Sequence, residues 1–264
     1  MNWTLLWLML GVGFAAGLHA AMYGAYKDSP HESFHPHRCV REIAIAMGIG
    51  AVMAYWRIGQ EESPFILYLS IFALARVATE VWKLFIRQEP IEDWRIPSQM
   101  HIVSGVIQSR GVRLALGIGW LFGIYGLWGL SKWAIPDTLP IPVRGMLVGM
   151  TAGVAEAMCG GYKDGSIEGF YWHKFIKSPV FGALGGLVAS GHTDSTAFLM
   201  LGAVGSMRML LELVFKLVVP GYTPGKFRSM TGQSTEWTAA RHLFIPPYAL
   251  TWALYLVLAT HPNW

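Results

Sequence analysis

The sequence is poor in charge and in cysteine. Asp, Glu, Lys and Arg make up 14% of its 264 residues, against about 25% in an average soluble domain. The two cysteines, Cys39 and Cys159, have no CxxC spacing, which leaves no basis for a disulfide framework or a cysteine zinc site. Also missing are a P-loop, a Ser/His/Asp arrangement, paired histidines on facing spans and a Gly-rich dinucleotide fingerprint. Nucleotide, haem and triad chemistry therefore have no signature in the chain.

Apolar residues fill the gap. They form 53% of the chain, with 12 Trp and 30 Gly, and the mean hydropathy is +0.40. Both residue types are frequent in membrane spans and their interfaces, and the apolar runs are too long for a soluble domain. This composition predicts an all-α integral membrane protein. The net charge of +4 is spread between apolar runs, so it speaks for loop bias across a membrane and against nucleic acid as a partner. Residues 1–25 lack a basic leader and recur in kind at 145–162, so they read as a mature span and not as a signal peptide.

Hydropathy marks eight spans: Trp3–Tyr23, Ile43–Trp56, Pro64–Ile86, Leu114–Leu130, Met146–Cys159, Val180–Ser190, Thr196–Val219 and Leu243–Thr260. Mixed polar segments fall at 24–42, 87–110 and 220–240. The second and sixth spans are short and rich in Gly and Ala. That pattern fits a binding site between repeats or simple close packing of helices.

A polar motif occurs twice. Met22-Tyr23-Gly24-Ala25-Tyr26-Lys27-Asp28, then Glu32, Phe34, His37, Arg38 and Arg41, is matched by Met158-Cys159-Gly160-Gly161-Tyr162-Lys163-Asp164, then Glu168, Phe170, His173, Lys174 and Lys177. Each pair is offset by 136 positions without a gap. The expectation is an internal duplication, with one repeat over 1–133 and the other over 134–264.

Loop charge separates two topologies. If every span crosses, thirteen Lys and Arg collect on one side and three on the other; if the short spans are re-entrant, the split is nine to seven. Positive-inside bias favours full crossing. The fold expected is eight transmembrane helices as two parallel four-helix repeats about a pseudo-two-fold axis along the membrane normal. Both termini then lie outside a plasma or inner membrane, and both motifs face the cytoplasm.

The third and seventh spans carry a second repeated signal. Arg76, Glu80 and Lys83 align with Arg208, Glu212 and Lys216 at helical spacings. An unpaired charge at that depth costs at least ~2.5–3.5 kcal/mol, so these groups should face a protein interior or a wet cavity. They can line a substrate path, or simply lock helices together as intrahelical pairs.

In the motif, Asp28 with Glu32, and Asp164 with Glu168, can share a helical face and hold Mg²⁺ beside a phosphate. Alternatively they orient the nearby cations. Arg41 and Lys177, with Arg38 and Lys174, suit an anionic headgroup or serve as ordinary cytoplasmic anchors. Arg and Lys interchange between the copies, which fits point-charge attraction more than bidentate recognition. Tyr26 and Phe34 read as interfacial packing. His31, His35, His37 and Cys39 look like a metal cluster, but only His37 has a counterpart. His19 and Glu156 break the symmetry inside their spans and are proton-handling candidates, with a buried hydrogen-bonded pair of the two as the plainer reading.

These residues point to a transporter for a small anionic or phosphorylated solute or an anionic lipid. Its substrate-binding set is Asp28, Glu32, Arg41, Arg76, Glu80, Asp164, Glu168, Lys177, Arg208 and Glu212. One alternative is a membrane enzyme using Mg²⁺ on a lipid phosphate; retention of both copies weighs against it, since one catalytic set suffices. The other is a non-catalytic scaffold subunit. No cofactor is specified beyond the Mg²⁺ of the enzyme alternative, and the partners expected are the bilayer and an anion.

Overall fold

The computed structural model describes residues 2–87, 101–102, 105–106, 109–168, 171–214 and 235–261; within these it leaves the side chains of Glu32, 101–102, 105–106, 162–168, Lys174, Thr235 and Thr238 undescribed. The regular structure of the described residues is helical apart from a two-residue antiparallel ladder, His101–Ile102 with Gly105–Val106.

The helices are α1 (Trp3–Glu32), α2 (Pro36–Tyr55), α3 (Pro64–Val81), α4 (Arg110–Ala134), α5 (Ile141–Glu168), α6 (Trp172–Ala189), α7 (Thr196–Glu212), α8 (Thr235–Ala240) and α9 (Ile245–Thr260). A π-helical turn, Trp82–Ile86, prolongs α3, and a 3₁₀ turn, Arg241–Phe244, leads into α9. Four stretches are long and apolar enough to cross a membrane: Trp3–His31, Pro64–Ile86, Arg110–Ala134 and Arg241–Thr260. The chain is an integral membrane protein by this measure. Much of α4 and α9 exposes large apolar side chains, including Phe122, Tyr125, Trp133, Leu250 and Leu256. Water does not tolerate so wide an apolar surface on a monomer, whereas lipid does.

Polarity over residues 24–42 predicts a loop between two spans, and the structure differs. Helix α1 continues through the motif to Glu32, and α2 starts at Pro36. Asn2 caps α1, its side chain accepting from the Leu5 amide at 3.2 Å. At the other end Pro30 sits in the last turn, and Ser33 closes the helix at φ 66° with its amide on the Ser29 carbonyl at 2.9 Å. Pro36 at the start of α2 has no amide to leave unsatisfied there. The supposedly short second and sixth spans are thus the apolar parts of helices of 20 and 18 residues. Hydropathy marks only the part of a helix that lipid can hold, while water satisfies the polar turns beyond it.

The chain divides into two compact units. The first comprises residues 1–76 and 229–264. Here α1 and α2 lie so close that a Cβ on Gly13 would meet the Ala46 carbonyl oxygen at 2.8 Å, and one on Gly17 the Ile43 Cα at 2.6 Å. Gly50 in turn faces the Met9 carbonyl. Helix α3 supplies much of this unit's core, with Phe65, Ile66, Tyr68, Ile71 and Phe72 fully buried. At one end, Phe34 of the motif packs on Trp237 and Phe244 with ring centroids at 5.2 and 4.8 Å. Arg241 lies over the Tyr26 ring at 5.0 Å. Both aromatics are packing residues at this end of the unit.

The second unit comprises residues 77–228. In it Gly145, Gly149 and Gly153 of α5 meet the backbone of Gly186, Gly182 and Ser178–Pro179 of α6. Gly185, on α6, faces Ala203 and Met207 of α7. Phe85 fills the space over Gly117 of α4, and Arg113 donates to the Arg87 carbonyl at 2.9 Å.

Candidate functional site

Three helices at glycine-limited distance make the second unit's polar centre. Without Cβ atoms at 145, 149, 153, 182, 185 and 186, α5, α6 and α7 approach backbone to backbone. A glutamate then spans the gap between α5 and α7 directly. Glu156 of α5 forms an ion pair with Arg208 of α7 through the arginine Nη2, with side chains 23% and 30% exposed. Arg208 stands roughly 18 Å from the first residue of α7 at 1.5 Å per residue. Its Nε is buried without a hydrogen-bond partner among the described residues. Glu212, one turn further on, is buried. An interhelical ion pair thus brings Glu156 and Arg208 together in one site.

The first unit answers differently. Arg76 stands at the same depth in α3 as Arg208 does in α7, each twelve residues from its helix start at Pro64 and Thr196. Beyond it, in the stretch assigned to the second unit, Glu80 pairs with Lys83 at 3.7 Å. His19 is fully buried, its Nδ1 3.0 Å from the Thr251 Oγ1. Thr251 spends its single proton on the Tyr248 carbonyl at 2.7 Å, so His19 Nδ1 is the donor. Phe72, Tyr248 and Trp252 surround the imidazole with centroids at 5.1, 4.8 and 5.9 Å. His19 is thus a buried hydrogen-bonded group whose partner is Thr251, while the Glu156 paired with it in the plainer sequence reading sits on Arg208.

In the motif, Asp28 pairs with its neighbour Lys27 at 3.4 Å. Arg41 donates to Glu42 at 3.0 Å. Lys177 is half-buried on α6. The side chains of Glu32, Asp164 and Glu168, and the whole of Lys216, lie outside the described residues, so the paired-carboxylate expectation is described only at Asp28. Among the described residues no group of three or more His, Cys, Asp or Glu could hold a metal ion, the His31–Cys39 run included. Burial raises the Cys39 thiol above its ordinary range, with the Glu42 carboxylate adding to it; an unreactive thiol is the consequence.

Three residues escape the sequence reading. Glu42 is buried in α2 although it sits beside a basic pair that looks solvated. Thr251 has no pattern at all and is found only through His19. Arg144 is buried at the start of α5, donating to Asp137 at 2.7 Å and to the Asp194 carbonyl. It ties the α4–α5 connection to the α6–α7 connection. A lone arginine beside an apolar run, with Asp137 seven residues before it, was the available signal.

Comparison with models of protein families, with characterised proteins and with solved structures finds no match to this chain.

Proposed function

We propose that the protein is a membrane transporter for a small oxyanion, free or as a lipid headgroup, built from eight spans in two parallel four-helix repeats. The observation that carries this reading is the Glu156–Arg208 pair at mid-helix depth, with Arg76 at the matched depth of α3. Helix locking alone is served at least as well by apolar residues of similar volume, because charges taken out of water must first recover their desolvation cost. A guanidinium held there, partly exposed and with a spare buried Nε, suits an anion instead.

The repeat reading draws support from glycine packing. In the first unit the close pairs are Gly13 with Ala46, Gly17 with Glu42–Ile43, and Met9 with Gly50. Each number raised by 136 gives a close pair of the second unit: Gly149 with Gly182, Gly153 with Ser178–Pro179, and Gly145 with Gly186. Helices α1 and α2 match α5 and α6 at the same offset, Glu32 against Glu168 and Pro36 against Trp172.

The test uses the full chain in phosphatidylcholine nanodiscs. Radiolabelled sulfate reports a free oxyanion, and phosphatidylglycerol added to the disc reports a headgroup. Replacing a charge-assisted hydrogen bond worth about 1.5–3 kcal/mol should weaken binding by about ten- to a hundredfold in R76Q and in R208Q. Unchanged binding of both probes by the double variant would overturn the anion site. Mg²⁺-dependent breakdown of a lipid phosphate, lost in D28N, would replace it with the enzyme reading.

A further inference from the structure

The two halves of the motif are alike, but their helices α1 and α5 differ at one telling position. Glu156 is matched at the offset of 136 by Ala20, whereas Arg208 has the counterpart Arg76. The second half alone therefore carries a carboxylate at this point. That carboxylate already sits on Arg208.

We propose that Glu156 is a built-in competitor for the anion at Arg208, so that this half-site takes up one oxyanion together with one proton. The inference rests on the anion-binding reading above. A bound oxyanion and an ionised Glu156 would share the same guanidinium, within about 4 Å of each other. Two like charges at that separation repel by about 4 kcal/mol at an effective dielectric of 20. Moving Glu156 aside does not remove the conflict: α5 meets α6 at backbone contact and cannot retreat, and a carboxylate swung off the guanidinium would be an unpaired charge at this depth. Neutralising it does. The charge balance is simple: the anion arrives with its negative charge, a proton adds to a Glu156 carboxylate oxygen, and Arg208 exchanges one anionic partner for another. No covalent bond changes.

The helices packed against α5 carry few other ionisable groups. Glu212 is on α7 with Arg208, and His173 and Lys177 are on α6, while the side chain of Lys174 lies outside the described residues. Helix α4 reaches α5 through Trp120, whose Nε1 donates to Cys159 Sγ at 3.1 Å; its own charges, Arg110, Arg113 and Lys132, stand towards its ends. Among these, Glu156 is the acid in direct contact with the arginine. By linkage, a proton that aids the anion must in turn be held more tightly when the anion is bound. Glu156 is thus a positioning residue for Arg208, with Ala20 leaving the first half free of this coupling.

Binding of radiolabelled sulfate, which does not titrate in the range used, is measured on the full chain in phosphatidylcholine nanodiscs between about pH 5.5 and 8. Phosphatidylglycerol retention, read by native mass spectrometry, forms the second arm. Wild-type affinity should rise towards about tenfold per unit of falling pH, the limit for one proton per anion. E156Q should bind as tightly at pH ~8 as the wild type does in acid, with a flat profile. E156D keeps the acid and should keep the slope with a displaced midpoint. It also serves if E156Q does not fold, when a flat E156D profile would overturn the proposal. A wild-type slope in E156Q, or weaker binding at every pH, overturns the counter-ion role and leaves the anion site standing. Failure of wild type and E156Q alike to take either probe removes the anion reading itself, and this inference with it. A response to sulfate alone marks a free anion, and one to phosphatidylglycerol alone a headgroup.

Discussion

Adding one methyl group should have opposite effects at Gly153 and Gly123. On Gly153 a Cβ would stand 2.7 Å from the Pro179 Cα, where carbon atoms ordinarily rest about 3.5–4.0 Å apart. The obstacle is the backbone of α6 and not the end of a flexible side chain, so α5 and α6 must separate by roughly an ångström. Overpacking of that kind costs about 1–3 kcal/mol. A Cβ on Gly123 of α4 meets no atom within 4 Å, and alanine there recovers about 0.5–1 kcal/mol of helix propensity. G153A and G123A should therefore differ by about 1.5–4 kcal/mol, with opposite signs against the wild type. Thermal unfolding of the detergent-solubilised chain, followed by far-UV circular dichroism, reads the difference. G13A and G17A should behave like G153A, because their Cβ atoms would lie 2.8 and 2.6 Å from the α2 backbone. Equal midpoints for G153A and G123A would refute the packing argument. A lower midpoint for G123A would mean that α4 buries this face against something.

Two further outcomes test the loops. A thiol-labelling probe of sidedness belongs at exposed Ser33 and not at Ser29, which is 1% exposed; S33C, in a background with Cys39 and Cys159 replaced by alanine, should label only from the cytoplasmic side, and labelling from outside would sink the eight-span arrangement. His192, in the α6–α7 connection, has its basicity lowered from 6.5 by burial. The folded state then holds fewer protons than the unfolded one, so the stability tied to this group is complete above pH ~6.5 and declines as the pH falls below it. H192Q should flatten the acid limb of the unfolding midpoint; an unaltered limb would show that His192 does not contribute.

The sequence carried the repeated elements and missed the pairings. Duplicated Tyr-Lys-Asp residues and the Arg76 and Arg208 register were legible because a shift of 136 or 132 aligns polar residues in an apolar chain. The reach of α1 to Glu32 was not, since hydropathy loses a helix where water rather than lipid satisfies its side chains. Glu156 stands out in the sequence as an intramembrane acid, and the partner the sequence suggests for it is His19. Only backbone proximity, set by glycines on α5 and α6, decides that Arg208 is within reach. Glu42 and Arg144 were hidden for a related reason: each is buried next to residues that look solvated.

Small residues and charged residues are therefore one device in the second unit. Were Gly149, Gly153 and Gly182 alanines, α5 would stand away from α6, and the geometry that lets the two-methylene side chain of Glu156 meet Arg208 would relax. Loss of the glutamate alone would leave Arg208 with a buried, unpartnered Nε and without its ion-pair carboxylate, a costly state for a charge at this depth. The two perturbations predict different readouts. Alanine at Gly153 should lower stability and weaken pH coupling together, because it moves the helix that carries the acid. Glutamine at 156 should remove the coupling while keeping the packing. A G153A variant with normal coupling and reduced stability would separate the device into two independent parts.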